Sequence, residues 1–161
     1  MIFLSTFIIG GCSFNINSEE TIDIQSEIDQ NIGYSIAENF GYRHEFPEDA
    51  IKLVDYNDET GKITIIAYTY VFLDETYEEF KADTLESCAN VLQDVKRHHE
   101  IEEVDLIIET TLEDQQGNPV DYAVFNMIFK RDNLKRVNFN EFDPLLLNKK
   151  ANFYLETPFE M

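Results

Sequence analysis

The sequence predicts a two-layer α+β fold, in which an antiparallel sheet built from two β-hairpins packs against a central amphipathic helix and flanking N- and C-terminal helices. Two observations predict it. The middle of the chain carries an apolar stripe with helical spacing, and a pair of apolar segments joined by a turn-rich stretch lies on each side of that stripe. Sheets and helices of this kind bury their apolar faces against each other. Residues 22–161 are expected to form this single domain.

The first predicted element is an N-terminal helix. Apolar residues recur at every fourth position along one side of it, at Ile24, Ile28, Ile32, Ile36 and Phe40. This spacing gives a helix one apolar face, and Gly41 is placed to end the helix. A strand through residues 21–25 is the competing interpretation.

The two predicted hairpins lie on either side of the central helix. The first joins residues 50–56 to residues 62–73, and the second joins residues 104–112 to residues 120–130. Both faces of segment 62–73 are apolar or aromatic, which predicts a central strand covered on both sides. Segment 104–112 alternates between apolar and acidic residues, which predicts one exposed face.

The central helix has the clearest pattern. Its apolar positions step by three and four residues, at Leu85, Cys88, Ala89, Leu92, Val95 and His99. Asp83 and Glu86 have the spacing of an N-cap and its capping-box partner. Because Cys88 lies on the apolar stripe among acidic neighbours, we expect a small buried hydrophobic residue and not a reactive thiol.

The last predicted element is a short C-terminal helix. Asp143 and Pro144 have the residue types of an N-cap and a first helical residue, because aspartate accepts hydrogen bonds from the first backbone N–H groups and proline has no N–H to satisfy. The helix is predicted to continue through residues 145–154.

Charge and motif content exclude several classes of function. The 161 residues include 12 Lys and Arg against 32 Asp and Glu, for a net charge of −20. A surface this acidic repels phosphate backbones, which argues against nucleic-acid binding. The chain has only three histidines, no G-x-S-x-G motif and no glycine-rich phosphate loop, so no catalytic residue, metal ligand or cofactor is predicted.

The N-terminal segment carries the one recognisable motif. An uncharged apolar stretch closes on Ile9-Gly10-Gly11-Cys12, which resembles the lipobox of bacterial lipoproteins. The resemblance implies that residues 1–11 are a signal peptide, that Cys12 receives a diacylglyceryl group, and that residues 12–21 form a tether. It also implies a protein held on the extracytoplasmic face of the cell membrane by this lipid.

The segment departs from the lipoprotein pattern in one respect. Signal peptides normally open with Lys or Arg, but no cation occurs before Arg43. We therefore expect a basic region to precede Met1 in the natural protein. The alternative is a buried N-terminal strand in which Cys12 is an ordinary core residue.

Two groups of residues are candidate partner-binding surfaces. Six of the twelve cations fall between positions 130 and 150, at Lys130, Arg131, Lys135, Arg136, Lys149 and Lys150. They predict a surface for an anionic partner such as an envelope protein, although an ordinary solvated surface is the alternative. Aromatic residues on two strands, at Tyr68, Tyr70, Phe72, Phe125 and Phe129, predict an apolar groove if the strands are neighbours. The alternative is that a helix covers these rings as core.

These features favour a membrane-anchored extracytoplasmic lipoprotein whose small domain binds a partner without catalysis. Two other hypotheses stay open. A small envelope hydrolase would use His98 or His99 and would need a cleft around that end of the helix. An immunity-type lipoprotein would mask a secreted toxin with its acidic face, and a basic partner would support it.

The lipobox resemblance gives a direct prediction about membrane attachment. Replacing Cys12 with alanine removes the thiol that would carry the lipid, so the protein should appear in the soluble fraction or remain unprocessed. Membrane fractionation followed by mass measurement of the N-terminus checks this. A Cys12→Ala protein that is cleaved and membrane-bound like the natural one contradicts the lipoprotein interpretation.

Overall fold

A computed structural model describes residues 24–114 and 116–159 of the chain. The elements in chain order are α1 (Ile24–Phe40), β1 (Ile51–Asn57), β2 (Lys62–Tyr68), α2 (Tyr77–Arg97), β3 (Glu103–Glu113), β4 (Pro119–Lys130), α3 (Arg131–Arg136) and β5 (Phe153–Glu156). Short 3₁₀ helices occupy Gly41–Arg43, Pro47–Ala50 and Pro144–Lys149. The α+β class is therefore confirmed.

The predicted N-terminal features fall outside this range. The signal peptide at residues 1–11, Cys12 and the tether at residues 12–21 all lie outside the described residues. Within the described ranges, no helix has both the length and the apolar character needed to cross a membrane.

The sheet is mixed and not antiparallel as predicted. Its five strands lie in the order β1-β2-β3-β4-β5, and every neighbouring pair is antiparallel except β2 and β3. The parallel register runs from Lys62 opposite Glu103 to Tyr68 opposite Glu109. The two hairpins form as predicted, but α2 carries the chain from the end of β2 back to the start of β3, and a crossover of this kind joins parallel strands.

One face of the sheet is buried under the helices. The inward-facing side chains of the three middle strands are almost completely buried, at Ile63, Ile65, Ala67, Val104, Leu106, Ile108, Phe125, Met127 and Phe129. They form one core cluster with the apolar residues of α1 and α2. On the opposite face, Ile66, Ile107 and Ile128 are only half-buried. The prediction that the second strand is covered on both faces is therefore wrong, because α1 and α2 pack on the same side.

Helix α1 spans the predicted apolar stripe and ends at Phe40, as expected from Gly41. The reason for glycine there is close packing, since a Cβ at Gly41 would lie 2.6 Å from the Cβ of Pro47. The helix runs alongside α2, where Ser35 Oγ donates to Asp94 Oδ2 at 2.6 Å and Ser87 Oγ donates to the Asn39 carbonyl at 2.8 Å.

Helix α2 begins earlier than the sequence predicts. Its N-cap is Thr76, whose side chain accepts from the Glu79 N–H in a capping box, so Asp83 lies within the helix and is not its cap. Thr76 and Glu79 have the same spacing as Asp83 and Glu86, so the pattern alone does not distinguish the two starts. The earlier start brings Phe80 onto the buried face, where its ring stacks on Phe125.

The rest of the α2 stripe behaves as predicted except at its end. Leu85, Cys88, Leu92 and Val95 are buried, and burial raises the pKa of the Cys88 thiol. The helix ends at Arg97, however, and His99 beyond it is exposed, so His99 does not belong to the apolar stripe.

The C-terminal region forms a strand where a helix was predicted. Asp143 is the expected N-cap, accepting from the Leu145 N–H at 3.0 Å, but the 3₁₀ helix that follows ends at Lys149. Residues 153–156 then pair antiparallel with β4 as β5. The predicted helix through residue 154 is therefore wrong. A strand is favoured there because it satisfies the backbone groups along the open edge of β4.

The packing of α2 gives a prediction about stability. Leu92 is fully buried in the core cluster, so Leu92→Ala should lower the free energy of unfolding by about 2–5 kcal/mol. The capping-box variant Thr76→Ala should cost about 1 kcal/mol, and Glu86→Ala, at an exposed position, no more than about 0.5 kcal/mol. Urea denaturation measures all three. Equal losses at Leu92 and Glu86 would contradict the orientation of the helix.

Candidate partner-binding surfaces

The predicted basic residues come together at one end of the sheet. Lys130 ends β4, α3 follows it directly, and Lys149 ends the last 3₁₀ helix. Hydrogen bonds join these segments, since the Asn133 amide donates to the Lys150 carbonyl at 3.3 Å and the Lys130 N–H donates to Asn152 Oδ1 at 2.7 Å. The folded chain therefore collects cations from three elements.

Arg131 is an exception to this grouping. It is only 8% exposed, and its guanidinium Nη1 donates to the carbonyls of Lys96 and His98 at the end of α2. Its backbone N–H also donates to the Glu102 carbonyl at 2.8 Å. Its assignment to a partner-binding surface is therefore wrong, because the side chain satisfies the last carbonyls of α2 and anchors the β4–α3 junction.

The other five residues define what we call the basic surface: Lys130, Lys135, Arg136, Lys149 and Lys150. All five are exposed, and none of them forms an ion pair with a described residue. The remaining cations have partners. Five of them form ion pairs, at Arg43, Lys52, Lys62, Lys81 and Arg97. Lys96 and Arg131 donate to backbone carbonyls instead. The cations that form no ion pair with a described residue are thus concentrated at this end.

The predicted aromatic groove does not form. Phe125 and Phe129 point into the core at 1% and 0% exposure. Tyr68 lies on the opposite face of the sheet, where its ring is beneath the Lys52 ammonium and its hydroxyl bonds to Thr111. Tyr70 and Phe72 lie beyond the end of β2 and are about half exposed. The prediction assumes that the strand continues to residue 73, whereas β2 ends at Tyr68.

A buried arginine organises the segment that follows β2. The Arg43 side chain is 1% exposed and forms a bidentate ion pair with Glu75, with Nη1 and Nη2 donating to the two carboxylate oxygens at 2.7 and 2.5 Å. Nη1 also donates to the Tyr70 carbonyl at 2.9 Å, and the guanidinium lies 4.5 Å from the Phe72 ring centroid. Glu75 in turn accepts from the Phe72 N–H at 3.0 Å.

The Arg43 contacts fix the loop between β2 and α2 in one conformation. Paired, hydrogen-bonded and stacked guanidinium groups are among the few charges that tolerate such burial. Sequence reasoning missed this residue, because a single arginine after an α-helix carries no motif. The one available signal is that Arg43 is the only cation in the first 51 residues, which hold many carboxylates.

A second carboxylate joins the C-terminal strand to α2. Glu156 accepts hydrogen bonds from the Tyr77 hydroxyl, the Tyr154 hydroxyl and the Lys81 ammonium at 2.7, 2.9 and 2.7 Å. Burial, together with these hydrogen bonds, raises the pKa of both tyrosine hydroxyls. Both oxygens of the Glu156 carboxylate accept hydrogen bonds, and those from Tyr77 and Lys81 attach β5 to α2.

His98 and His99 lie apart from these clusters, whereas His44 packs against the rings of Tyr68 and Tyr70. His98 caps the end of α2, and His99 is 85% exposed with its Nε2 atom 3.4 Å from Glu100. Neither residue lines any of the grooves described below. Among residues 24–114 and 116–159, no three His, Cys, Asp or Glu side chains are arranged to hold a metal ion.

The Arg43–Glu75 pair gives a prediction with a defined pH dependence. Hydrogen bonds from Arg43 lower the pKa of Glu75 below its ordinary value of 4.5. The folded state therefore binds the proton more weakly than the unfolded state, so the pair contributes stability above about pH 4.5 and loses it as the pH falls through the folded-state pKa.

Glu75→Gln should lower the free energy of unfolding at pH 7 by about 1–3 kcal/mol, because the buried Arg43 guanidinium loses its bidentate carboxylate and retains only the half-exposed Asp83 as an ion-pair partner among the described residues. It should also flatten the decline in stability between about pH 5 and pH 3. Urea denaturation across this range measures both effects. Glu59→Gln, at an exposed turn position, is the matched control, and identical behaviour of the two variants would show that the pair does not hold the loop.

Comparison of this chain with protein-family models, curated proteins and solved structures finds no match.

Proposed function

We propose that this protein is a lipid-anchored extracytoplasmic binding module that recognises an acidic protein partner through the basic surface. The observation that carries the proposal is that five exposed cations, none of which pairs with a carboxylate of the described residues, gather at one end of a chain whose net charge is −20. The lipobox resemblance at Ile9-Gly10-Gly11-Cys12 supports the anchor.

Electrostatics supports a role in recognition. Like charges brought together from β4, α3 and the last 3₁₀ helix repel each other, and no carboxylate in the described residues lies within ion-pair distance of them. A partner with an acidic surface removes that repulsion and is steered toward this end of the domain during approach. The acidic body would in turn disfavour contact with anionic lipid.

The anchor supports the same function by concentrating the domain at the membrane. A diacylglyceryl group supplies two acyl chains, which give stable attachment where a single chain is marginal. The tether at residues 12–21 would keep the domain close to membrane-bound partners and raise their effective concentration. A modest affinity at the basic surface would then be sufficient for binding.

The test compares two charge variants of the full chain in a cross-linking pull-down from membranes. Lys135→Gln with Arg136→Gln removes two charges from the basic surface, and Ser26→Glu with Gln30→Glu makes the same change in net charge at exposed positions of α1. The first variant should recover several-fold less of the partner at low salt, mainly through a slower on-rate, and the difference should fade as salt rises.

Both double variants should keep the thermal stability of the natural protein, because exposed charges contribute at most about 1 kcal/mol each. Equal partner recovery by the two variants at low salt would overturn the proposed site. A loss of thermal stability confined to the Lys135 and Arg136 variant would make the basic surface structural. Recovery of lipid without protein would replace the acidic protein partner with membrane headgroups.

A further inference from the structure

We propose that the opposite end of α2 is a second, independent binding surface that accepts a cationic, amphipathic polypeptide segment. The apolar side chains of that segment would contact the exposed apolar residues around Arg43, and its Lys or Arg side chains would pair with the carboxylates beside them. No residue of the basic surface takes part, so the proposal does not depend on the function proposed above.

The apolar part of the proposed surface consists of four solvent-exposed side chains, which we call the aromatic surface: Tyr42, Tyr70, Phe72 and Leu73. Their exposed fractions are 56%, 49%, 48% and 100%. Single exposed apolar residues are common on protein surfaces, but a group of them marks interaction sites. Leu73 is the clearest case, because it lies at the tip of a turn closed by the Glu75 N–H bonding to the Phe72 carbonyl at 3.1 Å.

Contacts from two neighbouring residues hold three members of this surface, since Arg43 contacts Tyr42 and Phe72 and the ring of Tyr70 packs against His44. The guanidinium lies over the rings of Tyr42 and Phe72, at 5.3 and 4.5 Å from their centroids, and donates to the Tyr70 carbonyl. Its Nε atom also donates to the Tyr42 hydroxyl at 2.8 Å. A side chain fixed before binding loses less conformational entropy in the complex. Tyr42 and Phe72 are thus held in place before binding, and Leu73 extends beside them into solvent.

Carboxylates line the two grooves beside the aromatic surface. One groove, of about 540 Å³, is lined by Phe72, Leu73, Asp74, Glu75, Glu79 and Asp83. The other, of about 320 Å³, shares Asp83 and continues along Tyr42 to Glu38 and Glu86. Among the described residues, neither groove has a lysine or arginine in its lining. Arg43 forms ion pairs with Glu75 and, at 3.2 Å, with Asp83, so the carboxylates without an ion pair are Glu38, Asp74, Glu79 and Glu86.

This combination identifies the chemistry of the occupant. The four carboxylates without an ion pair repel an acidic partner or an anionic lipid surface. A small cation would leave the four exposed apolar and aromatic side chains in water, whereas a segment that carries both cationic and apolar residues satisfies both parts of the surface. Interfaces of this type place buried apolar anchors at the centre and charged pairs at the rim.

The experiment uses the full chain and fluorescein-labelled synthetic peptides of equal length, with binding followed by fluorescence anisotropy. The three peptides are an amphipathic helix of Lys and Leu, the same sequence with Ser for Leu, and the same sequence with Glu for Lys. The natural chain should bind the Lys–Leu peptide at least about tenfold more tightly than either of the others.

Two variants and their matched controls locate the binding. Leu73→Ser should weaken binding of the Lys–Leu peptide about tenfold, whereas Leu145→Ser, at another exposed leucine, should not. Asp74→Asn with Glu86→Gln should weaken binding several-fold at low salt and less at high salt, whereas Glu27→Gln with Glu59→Gln, at exposed positions elsewhere, should not. All four variants alter exposed side chains, and thermal unfolding verifies that each one folds.

Four results would overturn the proposal. Equal binding by the natural chain and Leu73→Ser would show that the aromatic surface is not used. Equal losses in the two carboxylate variants would show that the peptide responds only to net charge. Equal affinity for the Lys–Leu and Lys–Ser peptides, or no binding of the Lys–Leu peptide, would exclude an amphipathic occupant.

Discussion

The packing of one face of α2 against the inner face of the sheet is the constraint on which the other features of this structure depend. It buries Leu85, Leu92 and Val95 in the same cluster as the middle strands. Because α2 must lie across the sheet to do so, the chain leaves β2 at one end of the sheet and enters β3 at the other end. The adjacent strands of the two hairpins, β2 and β3, are therefore parallel. The single parallel pair in the sheet is thus a consequence of helix burial.

The same helix separates two surfaces of opposite charge. Its 21 residues span about 30 Å, which sets the approximate distance between them. Carboxylates gather at its N-terminal end with the aromatic surface, and cations gather near its C-terminal end with α3. Both placements agree with the helix dipole, which favours acids at the start of a helix and bases at its end. The two surfaces share no residue, so a partner at one end would leave the other end accessible.

Two buried arginines hold the chain at these ends. Arg43 fixes the loop before α2 through Glu75 and the Tyr70 carbonyl, and Arg131 satisfies the carbonyls of Lys96 and His98 after it. In both places a planar guanidinium with several donors bridges groups from different segments. Each proposed binding surface therefore lies next to an arginine that is itself buried. The two buried arginines stabilise the fold, whereas the cations of the basic surface are exposed.

The sequence by itself determined the local elements: α1 with its end at Gly41, the buried stripe of α2, both hairpins and the Asp143 cap. Such features depend on residues a few positions apart, and their periodicity shows which face is apolar. Only the tertiary structure decided which neighbour covers that face. It alone joined β2 to β3 in parallel, turned residues 153–156 into a strand on the open edge of β4, buried Arg131 among exposed cations, and placed Arg43 beneath the aromatic surface. These outcomes depend on contacts between residues far apart in the chain, and a local pattern does not encode which distant group satisfies a buried charge or an unpaired edge.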